Sequence, residues 1–298
     1  MFYYKPLKIN DNLIISCDMI RLSFNLNNNT LVLFNKFINS LSLKNSIYEF
    51  RSYTSLKMFS YRTLITFDAN KNFSFVVGLG FNSAVSSEKN KCFIEFNPNK
   101  CLSTYFVNPI LDFIKEHTNF VEIVRFDFAI DIPVKRELLT LQKDLRKYQK
   151  HFYVNVSSNS LSNITEYLGT RNSNGFVKVY NKTIEQNLDY DVTRVEITLD
   201  NFKYDNFIKN LPTFYYFDNE NFNLFDFNSL NDTDKVLLSL INDNINYNVY
   251  LKMLGRGKKE KFEKFFKFRK QLFVSELDFY KFCDIVFSIF NGFNLLKK

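Results

Sequence analysis

The 298 residues contain no tryptophan, two histidines, seven glycines and five prolines, and these shortages close off whole classes of function. His117 and His151 are too few for a histidine-hydrophobe-histidine metal pair, an H-E-x-x-H zincin or a multi-histidine iron site, so any metal must sit among oxygen ligands. Glycine is nowhere arranged as a phosphate loop. Gly255-Arg256-Gly257-Lys258 lacks the G-x-x-x-x-G-K-[ST] spacing, and no strand is followed by G-x-G-x-x-G, which excludes the usual ATPases and dinucleotide enzymes. Cys17, Cys92, Cys101 and Cys283 form no C-x-x-C pair and no zinc-knuckle spacing, so they read as free, buried thiols in a reducing compartment. The apolar runs at 75–81 and 237–241 fall far short of the roughly 18 residues of a membrane span, and no charged-then-apolar leader opens the chain. A soluble, cytoplasmic protein with no membrane partner is expected.

With 46% hydrophobic and 23% charged residues, the chain has the balance of a globular protein. Its 36 phenylalanines and 17 tyrosines, with abundant Asn, Lys and Ile, are what AT-rich codons supply. Aromatic and lysine abundance therefore says little about function by itself. The formal charge of +8 suits a polyanionic partner and would draw nucleic acid through counterion release.

In chain order, 13–17 reads as a strand. Residues 31–43 set Leu31, Leu33, Phe34, Phe37, Ile38 and Leu41 at helical spacing, an amphipathic helix that packs on a sheet. Strands are predicted over 62–67, 73–79 and 91–96, with a turn at Asn97-Pro98-Asn99-Lys100 and a short helix over 111–117. Residues 121–131 alternate Phe, Ile, Val and Ala with charged residues at a period of two, a half-buried strand that ends at Pro133, which cannot donate to a ladder. A crossing helix is expected over 136–150, with Leu138, Leu141 and Leu145 as its buried stripe. Strands over 165–169, 176–180 and 193–199 follow, the first two joined by the glycine turn 169–175. The class is α+β: a mainly antiparallel sheet with helices on one face, plus a helical C-terminal segment. The other face is left for a ligand. The boundary is expected near residue 204, with 205–298 a helical, basic segment.

The residues with chemistry gather on three strands. Arg125, Asp127 and Asp131 share parity, as do Arg194 and Glu196, so each set shares a sheet face. Asp127, Asp131 and Glu196 are hard carboxylates suited to Mg2+ or Mn2+, and such an ion polarises a phosphodiester. Arg125 and Arg194 would hold phosphate oxygens, with Lys178, Tyr180 and Lys182 alternating nearby as further contacts. The same residues also fit a simple salt-bridge network on a sheet face. In 252–270, Lys and Arg, among them Arg256, Lys258, Lys259 and Lys261, interleave with Phe262, Phe265, Phe266 and Phe268. That pattern suits a helix packed by its Phe side that tracks DNA phosphates with its cations, positioning DNA rather than reading bases.

Four motifs in order, Arg125-x-Asp127-x-Ala129-x-Asp131, Tyr167-Leu-Gly169-Thr-Arg-Asn-Ser173, Val179-Tyr180-Asn-Lys182 with Glu185, and Thr193-Arg194-x-Glu196-Ile197, resemble the replication initiation factor family (Rep_trans). The resemblance covers about 120–200, with weaker similarity at Ile94-Glu-Phe-Asn-Pro-Asn-Lys100. That family comprises rolling-circle initiators of plasmids and phages. The resemblance implies a metal-dependent nick in one DNA strand by a tyrosine, leaving a 5′-phosphotyrosyl link and a 3′-OH that primes synthesis. Asp127, Asp131 and Glu196 would then be the metal set, and Arg194 would position phosphate. The departure is at Val195, which stands where plasmid members carry the nucleophilic tyrosine. Tyr190, Tyr180 or Tyr167 would have to substitute. The expected partners are single-stranded or supercoiled origin DNA, a host helicase and polymerase, and a second copy in a homodimer. The composition suggests a small phage of an AT-rich, wall-less bacterium as the source. A mobilisation relaxase, and a non-catalytic DNA-binding protein that has lost its nucleophile, are the alternatives.

Overall fold

The computed structural model describes residues 5–10, 13–41, 49–54, 59–66, 74–81, 90–102, 107–136, 139–141, 151–155, 164–170, 174–200, 214–216, 270–272, 275–290 and 293. Its strands are β1 (Leu7–Asn10), β2 (Leu13–Asn25), β3 (Glu49–Thr54), β4 (Phe59–Thr66), β5 (Ser74–Phe81), β6 (Lys91–Phe96), β7 (Val121–Ile132), β8 (Leu139–Leu141), β9 (His151–Asn155), β10 (Ile164–Leu168), β11 (Val177–Asn181), β12 (Thr193–Asp200), β13 (Phe214–Tyr216) and β14 (Lys270–Leu272). Its helices are α1 (Asn28–Leu41), α2 (Pro98–Cys101), α3 (Asn108–His117), α4 (Lys182–Gln186) and α5 (Glu276–Ile289). The order β3-β4-β5-β6-β2-β7-β12-β11-β10-β9 makes one antiparallel sheet, with β1 added on β2; β14, β13 and β8 form a second, small one. The protein is therefore α+β, as its pattern of elements predicts.

The two central strands are long because their sequences keep one face apolar, and each does so by slipping once. In β2 the core-facing residues are Leu13, Ile15 and Cys17, and then Ile20, Leu22 and Phe24. The change of parity falls at a bulge, where Cys17 pairs with Phe128 and Met19 with Asp127, leaving Asp18 as the extra residue. In β7 the core side passes from Val121 and Ile123 to Phe126, Phe128, Ile130 and Ile132. There Leu22 pairs with Ile123 and Arg21 with Arg125, so Val124 is the unpaired residue. The alternation expected through the whole of 121–131 thus holds only from Arg125 onward.

Helices cover this apolar face. Phe279 and Phe282 of α5 meet Phe126 and Phe128, with ring centroids 5.2–5.7 Å apart. Phe34 of α1 lies 4.9 Å from Phe113 of α3 and 5.8 Å from Phe24. Each fully buried Phe contributes about 1.5–3 kcal/mol of apolar transfer, so these rings are a large share of what holds helices to sheet. The far C-terminal helix therefore shares the core of the main sheet. It starts at Ser275, whose hydroxyl accepts the Asp278 N–H at 3.0 Å. The β10–β11 hairpin turns on Gly169 and Gly175, whose φ values of 88° and 78° other residues adopt at a cost.

The crossing helix expected over 136–150 is not what forms at its start. Leu139–Leu141 is a strand paired with β13, and Leu139 is buried there, so sheet pairing overrides a weak helical stripe; 142–150 lie outside the described residues. All four cysteines are buried thiols outside any disulfide, as their spacing implies. No helix among the described residues is long and apolar enough to cross a membrane.

On the core side, Arg136 and Glu166 form an ion pair with no solvent exposure, Nη2 donating to Oε2 at 2.5 Å and Nη1 to the Leu139 carbonyl at 3.2 Å. It ties the chain just past β7 to β10. Arg136→Met should destabilise the fold by about 3–5 kcal/mol, since it removes the paired charge from a buried carboxylate, whereas the double change Arg136→Met with Glu166→Leu should recover most of that loss. Urea midpoints of the two variants check this.

Candidate active site

Because side chains alternate along a strand, whatever is not turned to the helices collects on the opposite face. On β12 Val195, Ile197 and Leu199 enter the core, and Arg194, Glu196, Thr198 and Asp200 point the other way. The β7 register sets Asp131 opposite Arg194, Ala129 opposite Glu196 and Asp127 opposite Thr198. The β11 register adds Lys178 beside Glu196 and Tyr180 beside Arg194. Lys182 is the first residue of α4, whose N-cap Asn181 accepts the Ile184 N–H, and this start turns the lysine back over the sheet.

Arg194 is the centre of the arrangement. Its Nε and Nη2 donate to the two carboxylate oxygens of Asp131 at 2.6 and 2.8 Å, a bidentate pair, and Nη1 donates to Asp18 Oδ1 at 2.7 Å. Lys182 Nζ donates to Asp131 Oδ2 at 2.7 Å. Burial pushes the Asp131 carboxyl up, but Arg194 and then Lys182 outweigh it and hold it below the usual aspartate range. Burial also works against the Arg194 charge, and Asp131 and Asp18 more than restore it.

A second group lies two residues along β12. Tyr180 Oη donates to Glu196 Oε1 at 2.5 Å, and Lys178 Nζ reaches Glu196 Oε2 at 3.5 Å while sitting 3.9 Å over the Tyr180 ring. Burial first, then the charge of Asp18, pushes the Glu196 carboxyl up to about 7 against the pull of Lys178. Burial and the Glu196 charge push the Tyr180 phenol far above its ordinary range. Farther along, Arg125 donates to both oxygens of Asp127 at 3.2–3.3 Å, yet burial still leaves Asp127 raised. Beyond it Arg21 pairs with Glu95.

The sequence-derived residues are thus found largely together: Arg125, Asp127, Asp131, Lys178, Tyr180, Lys182, Arg194 and Glu196 share this face. It is also the salt-bridge network foreseen as an alternative, although Arg194 pairs with Asp131 rather than Glu196. The proposed metal set does not converge. Asp127 and Asp131 are four residues apart on one strand, about 13 Å between Cα atoms, too far to share an ion. Among the described residues no group of three or more His, Cys, Asp and Glu is arranged to hold one.

Val195 has no exposure and faces the helices, so a tyrosine there would point into the core, away from Glu196. Tyr190 precedes β12 in a turn, so strand parity does not apply to it; it is 59% exposed, with its backbone carbonyl held by Thr183 Oγ1 at 2.9 Å. Tyr180 sets its hydroxyl against an acid of the cluster. Arg256, Lys258, Lys259 and Lys261 lie outside the described residues. Sequence reasoning missed Asp18. Its signal was the slip in apolar parity between Cys17 and Ile20, which marks a bulge.

Among the described residues around Arg194, Glu196 and Asp127, charges nearly cancel. Arg21, Arg125, Lys178, Lys182 and Arg194 stand among Asp18, Glu95, Asp127, Asp131, Glu196 and Asp200.

No family model and no curated protein matches the sequence. Among solved structures the chain is similar to a rolling circle replication initiator protein from Geobacillus stearothermophilus, with a TM-score of 0.35 and 16% identity over 78% of this chain and 80% of that one. At that TM-score the two share too little geometry for one to say what the other's residues do.

Glu196 makes stability depend on pH. Its folded pKa of about 7 exceeds the 4.5 of an unfolded glutamate, so its contribution is complete below about 4.5 and is lost as pH rises through 7. Urea midpoints should fall between pH 4.5 and 7.5. Glu196→Gln should flatten that slope without abolishing it, since Asp127, also raised, acts with the same sign.

Proposed function

We propose that this chain initiates rolling-circle DNA replication by nicking one strand at an origin and rejoining it, with Tyr180 as attacking hydroxyl and Glu196 as its base. The observation that carries the reading is the 2.5 Å contact from Tyr180 Oη to Glu196 Oε1, beside Arg194 and Lys178, at the positions of the sequence motifs. A carboxyl with a pKa of about 7 suits a general base working near neutrality. In the forward step Glu196 takes the phenolic proton as Tyr180 Oη bonds to phosphorus. The bond from phosphorus to O3′ breaks, and O3′ leaves as a 3′-OH with a proton from water. Rejoining is the reverse, with the 3′-OH attacking the phosphotyrosine and Glu196 returning its proton. Arg194 spends three of its five N–H donors on Asp131 and Asp18, leaving two for phosphate oxygens.

Mg2+ or Mn2+ is part of the motif-based expectation, but Asp127, Asp131 and Glu196 do not fit a single ion. With charges balanced at the site, DNA capture falls to other basic residues, for which 252–270 is the candidate. Single-stranded or supercoiled origin DNA in a host cytoplasm, a host helicase and polymerase, a homodimer and a small-phage source complete the proposal. A relaxase would use the same chemistry at a transfer origin. The burial of Tyr180, 6% exposed, favours one rival, a DNA-binding protein without catalysis.

Incubation with its own supercoiled replicon, with Mn2+, with Mg2+ and with chelator, should yield open circles bearing protein on 5′ ends. Tyr180→Phe should lose nicking by at least about a hundredfold while Tyr190→Phe retains it. Absence of nicking by the wild type, with DNA affinity intact, would establish the non-catalytic rival instead.

A further inference from the structure

The turn at 97–100 has no part in the reaction just described, yet it touches the site at two points. Asn97 caps α2, its Oδ1 accepting the Lys100 N–H at 3.2 Å, and its Nδ2 donates to Asp18 Oδ1 at 3.1 Å. Asn99 Nδ2 donates to the Cys17 carbonyl at 3.0 Å, on the N-terminal side of the bulge. On the other side the Cys17 thiol donates to the Met19 carbonyl at 3.4 Å. Both carbonyls flanking the extra residue are thus satisfied away from the sheet ladder, which a bulge requires if it is not to leave buried backbone groups unpaired. Cys101 and Leu102, 2% and 1% exposed, anchor the turn in the core.

We infer that this turn is a clamp on the β2 bulge, and that Asp18 and Asn97 are positioning residues that hold Arg194 for a DNA phosphate. Asp18 Oδ1 takes Arg194 Nη1 from one side and Asn97 Nδ2 from the other. Asp131 already fixes one edge of the guanidinium; Asp18 fixes the remaining nitrogen, and with it the rotation that decides where the free N–H bonds point. The bulge leaves Asp18 and Met19 both off the core face and returns Ile20 to it, so Asp18 sits where the turn can reach it without costing β2 its apolar side. The chain Lys182, Asp131, Arg194, Asp18, Asn97 therefore spans the sheet from α4 to α2 as one hydrogen-bonded line. The kinetic consequence rests on the nickase reading; the structural one does not.

Two variants isolate the effect. Asp18→Asn keeps the shape and loses the charge, and Asn97→Ser keeps a good N-cap while losing the reach to Asp18. By NMR, the Arg194 side-chain N–H signals should show hindered guanidinium rotation and slow solvent exchange in the wild type. Both variants should speed rotation at least severalfold with an unchanged melting temperature for Asn97→Ser. Unchanged rotation in both would overturn the inference whether or not the protein nicks DNA. In the nicking assay each variant should lower kcat about tenfold with little change in KM. Combined with Arg194→Lys, Asp18→Asn should add no further loss; additive losses would show that Asp18 acts independently of Arg194, against the inference. If the wild type does not nick, the nickase reading fails and the rotation measurement alone decides.

Discussion

An arginine whose side chain is 6% exposed has to be surrounded by acceptors, because burying a lone charge costs several kcal/mol. Arg194 meets this constraint with Asp131 directly across the ladder and Asp18 from the next strand but one. The rest of the polar face follows from it. The β12–β7 register that pairs Arg194 with Asp131 also sets Glu196 over Ala129, a side chain small enough to leave room for the carboxyl, and the β11 register then brings the Tyr180 hydroxyl to that carboxyl. A slip of one residue in either pairing would send the acids into the helices and the apolar residues into water, so the apolar core and the polar site are specified by the same register.

The bulges reconcile two demands that strict alternation cannot meet together. The core needs apolar side chains along the full length of β2 and β7, while the site needs an acid at Asp18 and the Arg125–Asp127 pair at their observed depth. One extra residue in each strand changes parity once and satisfies both. The helices α1, α3 and α5 then seal the core side with stacked and edge-on phenylalanines, which keeps the sheet rigid under the site.

Around Arg194, the cations Arg125, Lys178, Lys182 and Arg194 each have an acid beside them, so this cluster offers hydrogen bonds and a poised proton acceptor more than net attraction for a polyanion. Glu196 is raised by burial and by Asp18, and Asp131 is lowered by Arg194 and Lys182, so two carboxyls on one face are driven to different protonation states near neutrality.

Much of this was legible in the residues. Period-two patterning located β6, β7, β10, β11 and β12 to within a few residues, and shared parity gathered Arg125, Asp127, Asp131, Arg194 and Glu196 on faces. Parity says which side a residue takes, however, and says nothing of which strand lies next to it. That is why Asp18 escaped notice and why acids about 13 Å apart were taken for one ligand set. Leu139–Leu141 shows the same limit from the other side, since the strand exists because β13 is there to pair with it. By itself the sequence determined the α+β class, the apolar and polar faces and the identity of the ionisable residues, because alternation and composition are local properties. The tertiary structure alone decided who pairs with whom, since strand order, register and the two bulges arise from contacts between segments far apart in the chain.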